Sequence, residues 1–116
     1  MTEAATRPWP TELRLDNTKA NLTVAFDNGQ RFTLPAEYLR VESPSAEVQG
    51  HGAGQKQIVT GKENVTIAAL EPVGNYAVRI RFDDGHDTGL FTWDYLHELG
   101  REHRARWTAY LKARGY

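Results

Sequence analysis

Short segments of alternating polarity, separated by tight-turn residues, constrain this chain more than any other feature. Apolar and polar residues alternate at positions 22–26 and again at 77–82, and a period of two is typical of half-buried β-strands. The letters Asp-Asn-Gly at 27–29 and Asp-Asp-Gly at 83–85 follow these segments. Because Asn, Asp and Gly tolerate the positive φ of tight hairpins, the sequence predicts antiparallel strands joined by short turns.

The predicted elements form two β units, each followed by a helix. The strands are predicted around Leu13–Leu15, Leu22–Phe26, Arg31–Leu34, Val65–Ala69, Ala77–Phe82 and Thr88–Phe91. Pro35 can begin a short helix, Ala36–Val41, because a missing N–H costs least at a helix start. From Trp93 to about Arg114, apolar residues recur at steps of three and four, which predicts one amphipathic helix with Thr92 as its N-cap. The predicted fold class is α+β: two antiparallel hairpin or meander units, a short helix after the first, and a long C-terminal amphipathic helix.

The two β units resemble each other. In each, a strand ends in an aromatic residue, turns through Asp-x-Gly, returns, and meets a helix carrying Tyr-Leu, at Tyr38-Leu39 and at Tyr95-Leu96. Internal duplication and convergence on the same hairpin residues both explain this echo. Either explanation predicts two hairpin-plus-helix units packed on each other.

Length and composition indicate one globular domain. The chain has 116 residues, of which 40% are hydrophobic and 25% charged, as in ordinary single domains. We predict an N-terminal tail at 1–10 and a single domain at 11–116. Glycines interrupt the polar stretch at 43–64, so this segment is predicted to be flexible, with a helical turn at Ser45–Val48 before the glycines.

Composition also excludes several classes of function. The chain has no cysteine, which excludes disulfides, thiolate metal sites, iron–sulfur ligation and cysteine nucleophiles. The 14 basic and 15 acidic side chains nearly cancel, so neither nucleic acid nor an anionic membrane is an expected partner. No signal peptide and no apolar run of roughly 18 residues is present. We therefore expect a cytoplasmic protein.

Distinctive motifs lie at 39–48 (LRVESPSAEV), 71–77 (EPVGNYA) and 82–89 (FDDGHDTG). In these motifs the chain resembles the gamma-butyrobetaine hydroxylase N-terminal-like domain, a family of unknown function found as short bacterial proteins. The resemblance covers roughly residues 10–100. The resemblance implies a domain that precedes the oxygenase domain in eukaryotic hydroxylases and holds a structural zinc there. It also implies a relation to a plant domain fused to a P-loop protein of iron–sulfur cluster assembly.

The resemblance indicates where such a zinc would be bound. The family's three cysteines correspond to Ser43, Ser45 and Val48, and its histidine corresponds to His86. Two hydroxyls and a valine do not replace three thiolates, so neither a structural zinc nor another cofactor is expected. A weak zinc or iron site at His86 remains the alternative. Its other ligands would be the nearby carboxylates, Asp83, Asp84 and Asp87.

No complete catalytic constellation is found. The cluster at 83–87 could serve metal or acid–base chemistry, but a solvated hairpin, whose geometry requires such Asp and Gly residues, is the favoured explanation. No histidine begins the His-x-Asp or His-x-Glu pattern of the oxygenase triad. The glycine-rich stretch at 50–56 lacks the spacing of a phosphate-binding loop. The sequence therefore predicts a protein that is not an enzyme, with no catalytic residue.

The favoured function is a non-catalytic binding or adaptor domain that contacts an unidentified protein partner. Tyr76, His86 and Trp93 are the predicted contact residues, because small monomers rarely expose an aromatic patch without a partner. Packing in the core or at its edge is the more usual role of such aromatic residues. The alternative function is a metal-binding accessory domain, linked to oxygenase or iron–sulfur proteins and using His86.

Overall fold

A computed structural model describes residues 8–49 and 58–115 of the chain. Within them, six strands and four helices follow in the order β1 (Pro10–Leu15), β2 (Asn21–Phe26), β3 (Arg31–Pro35), α1 (Ala36–Val41), α2 (Ala46–Gln49), β4 (Ile67–Val73), β5 (Ala77–Phe82), β6 (Leu90–Thr92), α3 (Trp93–Arg101) and α4 (His103–Ala113). The strands form two antiparallel sheets, in the orders β1-β2-β3 and β4-β5-β6. This is the predicted α+β class.

Both predicted helix starts are confirmed. Pro35 precedes α1, and its φ of −63° already suits a helix. Thr92 caps α3, because its side-chain oxygen accepts the backbone N–H of Tyr95 at 3.1 Å. A capping oxygen satisfies one of the N–H groups that the first helical turn leaves without a partner. Local residue chemistry therefore determines where α1 and α3 begin.

The two β units share the same backbone hydrogen bonds. At the turn after β2, the Phe26 N–H donates to the Gln30 carbonyl at 2.8 Å, and at the turn after β5 the Phe82 N–H donates to the His86 carbonyl at 3.0 Å. The pairs β1–β2 and β4–β5 each have a register irregularity at the same place. The second unit therefore repeats the first about 56 positions later, since Phe82 takes the place of Phe26.

Two tyrosines join the units reciprocally. The Tyr38 hydroxyl on α1 donates to the Leu99 carbonyl of α3 at 2.7 Å, and the Tyr95 hydroxyl on α3 donates to the Glu42 carbonyl after α1 at 2.5 Å. Tyr95 and Leu99 each follow their counterparts by 57 positions. Exchanging the two units exchanges the two bonds, so the units pack about an approximate two-fold axis. The similarity between the two units in sequence therefore extends to their tertiary contacts.

One hydrophobic core lies where the two units meet. It combines apolar residues from both sheets with the inner faces of α1 and α3, as expected for elements that each bury one face. Its fully buried members include Leu22, Val24, Leu34, Tyr38, Leu39, Ile67, Val78, Ile80, Phe91, Leu96 and Leu99.

The C-terminal helical segment is present, but it is divided at Glu102 into α3 and α4. In an uninterrupted helix the Leu99 carbonyl would accept the His103 N–H. Here the Tyr38 hydroxyl donates to that carbonyl, and a side chain inserted into the helical ladder bends or breaks a helix. The apolar periodicity predicted a single helix because it contains no information about this distant tyrosine.

The segment predicted to be flexible, 43–64, is packed at both of its described ends. Ser43, Ser45 and Val48 are buried, and the Val59 carbonyl accepts the Tyr110 hydroxyl at 2.6 Å. Its glycine-rich centre, at 50–57, lies outside the described residues, as do residues 1–7 of the predicted tail. The structure places Pro10, the last residue of that tail, in β1. None of the described helices is both long and apolar enough to cross a membrane.

Candidate functional site

The structure separates the three residues that the sequence predicts to form one contact surface. Tyr76 precedes β5 and Trp93 begins α3, and the Tyr76 carbonyl accepts the Trp93 backbone N–H at 3.2 Å. His86 follows the opposite end of β5 and is only 6% exposed. Since a strand of six residues spans roughly 17 Å, Tyr76 and Trp93 share one surface and His86 belongs to another region.

A groove with a volume of about 340 Å³ lies beside Tyr76 and Trp93, and we name it the aromatic groove. Three aromatic side chains line it, together with a proline, one carboxylate and two small polar side chains. The lining residues are Pro8, Trp9, Asn75, Tyr76, Thr92, Trp93 and Asp94. Both β units contribute to it, because Trp9 precedes β1 while Tyr76 and Trp93 flank β5 and β6.

Hydrogen bonds hold the tryptophans of the groove in place. The Trp93 indole N–H donates to the Asn75 carbonyl at 2.8 Å. Trp9 is held through its backbone: its N–H donates to the Asp27 carboxylate at 3.1 Å, and its carbonyl accepts the Asp27 N–H at 2.8 Å. The two indoles meet edge to face, with centroids 6.4 Å apart. The Trp9 and Tyr76 side chains nevertheless stay about half exposed, at 50% and 52%.

The first unit builds the same strand-to-helix junction from small residues. The Ala36 N–H, at the start of α1, donates to the Ala20 carbonyl at 2.7 Å, as the Trp93 N–H donates to the Tyr76 carbonyl. Ala36 and Ala20 thus stand where the second unit has Trp93 and Tyr76. Two alanines therefore suffice for the backbone hydrogen bond at this junction, although Trp93 also packs, partly buried, against the hydrophobic core.

His86 lies in a second, buried polar cluster. Its Nε2 is 2.9 Å from the Ser43 hydroxyl, and its Nδ1 is 3.1 Å from a Glu47 carboxylate oxygen. The Ser43 hydroxyl also accepts the Ser45 backbone N–H at 3.3 Å. Burial, followed by the positive charge of Arg40, lowers the pKa of His86 from its usual value. The imidazole is therefore neutral at pH 7 and connects the β5–β6 turn to the start of α2.

The residues of this cluster do not fit a zinc ion. Ser43 and His86, which the family resemblance pairs as zinc-ligand positions, are in direct contact. Their donor atoms are nevertheless a hydroxyl and an imidazole whose two nitrogens both have partners, and Val48 supplies no donor. Tight structural zinc sites use four thiolate or imidazole ligands. Within residues 8–49 and 58–115, no three His, Cys, Asp or Glu side chains are grouped so that they could hold a metal ion.

The carboxylates near His86 have other partners. Asp84 pairs with Arg40 at 2.8 Å and Lys62 at 2.6 Å and accepts the His86 backbone N–H at 3.0 Å. Burial raises the pKa of Asp84, but these hydrogen bonds outweigh burial and lower that pKa to about 2. Asp83 accepts the Thr66 N–H at 3.1 Å. These two aspartates therefore anchor the turn.

The contacts from Ser43 through His86 to Glu47 have the connectivity of a hydrolase triad. A triad serine must reach the carbonyl carbon that it attacks. Ser43 is completely buried, and the Glu47 side chain is 64% exposed. With its serine closed off from any substrate, the cluster has the properties of a structural clasp, and we assign it no catalytic residue.

Sequence reasoning missed two residues of these regions. Trp9 was assigned to the N-terminal tail, although a tryptophan between two prolines is an apolar signal in that segment. Glu47 was not singled out, because no local pattern indicates that it contacts a histidine 39 positions away. Both contacts depend on how the two units pack.

The family model described as "Gamma-butyrobetaine hydroxylase-like, N-terminal" matches residues 13–97. Two similar solved structures are solution NMR structures of proteins with 50% and 46% sequence identity, at TM-scores of 0.80 and 0.79. The two matches include 97% and 91% of this chain, and 84% and 83% of the chains in the respective NMR structures.

A crystal structure of a DUF971-family protein of unknown function, from Acidithiobacillus ferrooxidans ATCC 23270, is also similar. It shares 43% identity at a TM-score of 0.66, covering 78% of this chain and 91% of its own. No curated protein matches the chain. The resemblance stated from the motifs is confirmed, and nothing in these likenesses points to a catalytic activity.

Proposed function

The chain belongs to the gamma-butyrobetaine hydroxylase-like N-terminal family, and from this premise we propose that it is a non-catalytic binding domain that contacts a protein partner through the aromatic groove. The proposal keeps Tyr76 and Trp93 from the predicted contact surface and adds Trp9. It does not extend to His86, which lies at the other end of β5 and is buried.

One observation carries the proposal: aromatic residues stay exposed at a junction that the first unit builds with alanines. Trp9 and Tyr76 are about half exposed, whereas the equivalent junction of the first unit uses Ala20 and Ala36. Small monomers rarely leave a contiguous apolar patch without a function. Tryptophan and tyrosine are also the residues most enriched among those that dominate binding energy at protein interfaces.

The groove chemistry supports binding rather than catalysis. Nucleophilic catalysis needs a nucleophile with a base in hydrogen-bond reach. The described lining contains no Ser, Cys, His or Lys. Its aliphatic hydroxyl, on Thr92, already accepts the Tyr95 N–H as the cap of α3. What the groove offers a ligand is ring surface.

The test compares Tyr76→Ala with a matched control, Ile58→Ala. Both residues are large, apolar and about half exposed, at 52% and 48%, but Ile58 lines a different groove, beside α4. The tagged full-length chain and both variants are purified from its own cells, and bound proteins are identified by mass spectrometry. We expect a partner that is retained by wild type and Ile58→Ala and lost with Tyr76→Ala.

Direct binding then decides the proposal. The purified partner is titrated into each variant by calorimetry, after thermal unfolding has shown that all three proteins are folded. Loss of an aromatic anchor is expected to weaken binding at least about tenfold, the equivalent of roughly 1.4 kcal/mol. Equal affinity for wild type and Tyr76→Ala would show that the partner binds elsewhere.

A further inference from the structure

We propose that the solvent-facing side of the C-terminal helical segment is a second interaction surface, which binds an acidic segment of a protein. The surface consists of Arg101 at the end of α3 and of Arg104, Thr108 and Lys112 on α4, all of them exposed, and we name it the basic strip. It shares no residue with the aromatic groove, so this inference goes beyond the proposed function and does not depend on it.

The residues of the basic strip lie on one face of the helical segment. Helical hydrogen bonds continue on both sides of the break at Glu102, because its N–H donates to the Glu98 carbonyl and its carbonyl accepts the Arg106 N–H, both at 2.9 Å. With about 100° of rotation per residue, positions 101, 104, 108 and 112 fall within an arc of about 80°. At a rise of about 1.5 Å per residue, the strip is roughly 16 Å long.

The cations of the strip have no counter-charge in the described part of the chain. Arg106, on another face of α4, pairs with three glutamates. By contrast, no carboxylate within residues 8–49 and 58–115 pairs with Arg101, Arg104 or Lys112. The α4 helix itself contains neither Asp nor Glu. The positive charge of the strip therefore faces solvent uncompensated.

A face of one sign is unfavourable for a helix on its own. Exposed helix faces commonly combine both signs, because opposite charges three or four residues apart attract each other and like charges repel. Arg101 and Arg104 stand three residues apart, so they repel each other. Carboxylates supplied by a partner would remove this repulsion. The exposed residues between Arg104 and Lys112 are small, namely Ala105, Thr108 and Ala109, so a partner segment can lie close along the strip.

The chemistry of the strip favours an acidic polypeptide over other polyanions. Duplex DNA is bound through on the order of 6–10 phosphate contacts, whereas the strip has three cations. Single strands are held by stacking on exposed aromatic rings, but Trp107 packs on Tyr38 and Tyr110 is buried. A helix on a membrane surface presents large apolar side chains beside its cations, and the exposed neighbours of the strip on α4 are alanines.

The experiment titrates the full-length chain with two blocked peptides, hexaglutamate and hexaglutamine, followed by the backbone amide signals in the NMR spectrum. At about 0.15 M salt, attraction between exposed charges more than about 8 Å apart is largely screened, so direct contacts dominate. We expect hexaglutamate to shift the signals of residues 101–112 selectively. Hexaglutamine, which has the same length without the charge, should leave the spectrum unchanged.

Two double variants with the same net charge test the location. Arg104→Gln with Lys112→Gln removes two cations of the strip, and Arg79→Gln with Arg81→Gln removes two exposed cations of β5 that pair with Glu71. Glutamine is as good a helix former as arginine and lysine, so α4 should stay intact. We expect the affinity for hexaglutamate to fall about threefold to tenfold in the first double variant, as for two exposed ion pairs, and to stay unchanged in the second.

The outcomes decide between acidic protein, nucleic acid and no site. Absence of any shift, equal binding of the two peptides, or an equal loss in both double variants would overturn the inference. So would tighter binding of a hexathymidylate strand than of hexaglutamate, lost in the strip variant, because the surface would then belong to nucleic acid. These measurements do not involve Tyr76 or Trp93, so each of these results leaves the proposed function of the aromatic groove standing.

Discussion

Single residues in this chain owe their role to partners that are distant in sequence. His86 contacts Ser43 and Glu47, and Asp84 contacts Arg40 and Lys62. A buried polar group without a partner costs roughly 1–3 kcal/mol, so these contacts determine whether each residue stabilises the fold. From the sequence, His86 and the neighbouring aspartates suggested a metal site. In the structure, His86 and Asp84 instead contact other side chains of the same chain.

Replacing Asp84 with asparagine should make the stability of the protein less dependent on pH. Asp84 has a folded-state pKa of about 2 against an ordinary value of 3.8, so its ionised form stabilises the folded state above pH 4. That contribution, at most about 2 kcal/mol, is lost as the pH falls from about 4 to 2. Urea unfolding of wild type and Asp84→Asn between pH 2 and 7 measures it.

The difference in unfolding free energy between the two proteins should be largest above pH 4 and should vanish toward pH 2. Asp87→Asn, at an exposed carboxylate, is the control and should follow wild type throughout. A constant difference across the range would mean that Asp84 acts by shape and hydrogen bonding alone.

Zinc should not bind at His86. Both ring nitrogens already have partners, and the corresponding cysteine positions carry hydroxyls and a valine, which are not ligands for a tight site. We expect the His86 ring resonances to stay unchanged when Zn²⁺ is added in modest excess, and the unfolding midpoint to be the same with EDTA. A selective His86 shift that His86→Gln removes would revive the metal-binding alternative.

At the scale of elements, a single glycine allows α3 to approach β3. A Cβ at Gly100 would lie 2.4 Å from two carbons of the Phe32 ring, a distance that real side chains do not adopt. The close approach places the end of α3 next to the break at Glu102. Helix propensity therefore favours alanine at position 100, whereas packing against Phe32 favours glycine, and the chain has the glycine.

Gly100→Ala should destabilise the protein. In an exposed helix the change would stabilise by roughly 1 kcal/mol, but here the added methyl overlaps Phe32, and overpacking typically costs about 1–3 kcal/mol. We expect a net loss in the unfolding free energy, measured by urea denaturation.

The matched control is Ala105→Gly on the exposed face of α4, which changes propensity alone and should cost up to about 1 kcal/mol. If Gly100→Ala instead raises stability, Phe32 must move aside at little cost, and the close approach of α3 and β3 is not a constraint.

At the scale of the whole molecule, two similar units pack as the subunits of a symmetric dimer do. Tyr38 and Tyr95 each reach across to a backbone carbonyl of the other unit. Places where the two units differ are informative, because they show which features the shared architecture does not require. Among the described residues, the aromatic groove and the clasp around His86 are two such differences, each found in one unit.

Tyr38→Phe and Tyr95→Phe should each lower the unfolding free energy by about 1–2 kcal/mol, because each removes the tyrosine donor from a backbone carbonyl, in a buried bond at Leu99 and a part-buried bond at Glu42. Tyr76→Phe, which removes a hydroxyl from a half-exposed ring, should change stability by less than about 0.5 kcal/mol. Urea unfolding of the three variants provides the comparison. A change with Tyr76→Phe as large as the others would show that the loss of any tyrosine hydroxyl lowers stability to this extent, whether or not it forms a bond between the units.

The amino-acid sequence by itself determined the local elements: both hairpins, α1 from Ala36 to Val41, the cap at Thr92, and the motifs that identify the family. These depend on turn residues, periodicity and capping, which act over a few neighbouring positions. Only the tertiary structure decided that Tyr38 interrupts the last helix, that His86 is buried against Glu47, and that Trp9 meets Trp93. Those contacts join residues from 39 to 84 positions apart, so they arise from the packing of the two units and leave no local pattern in the sequence.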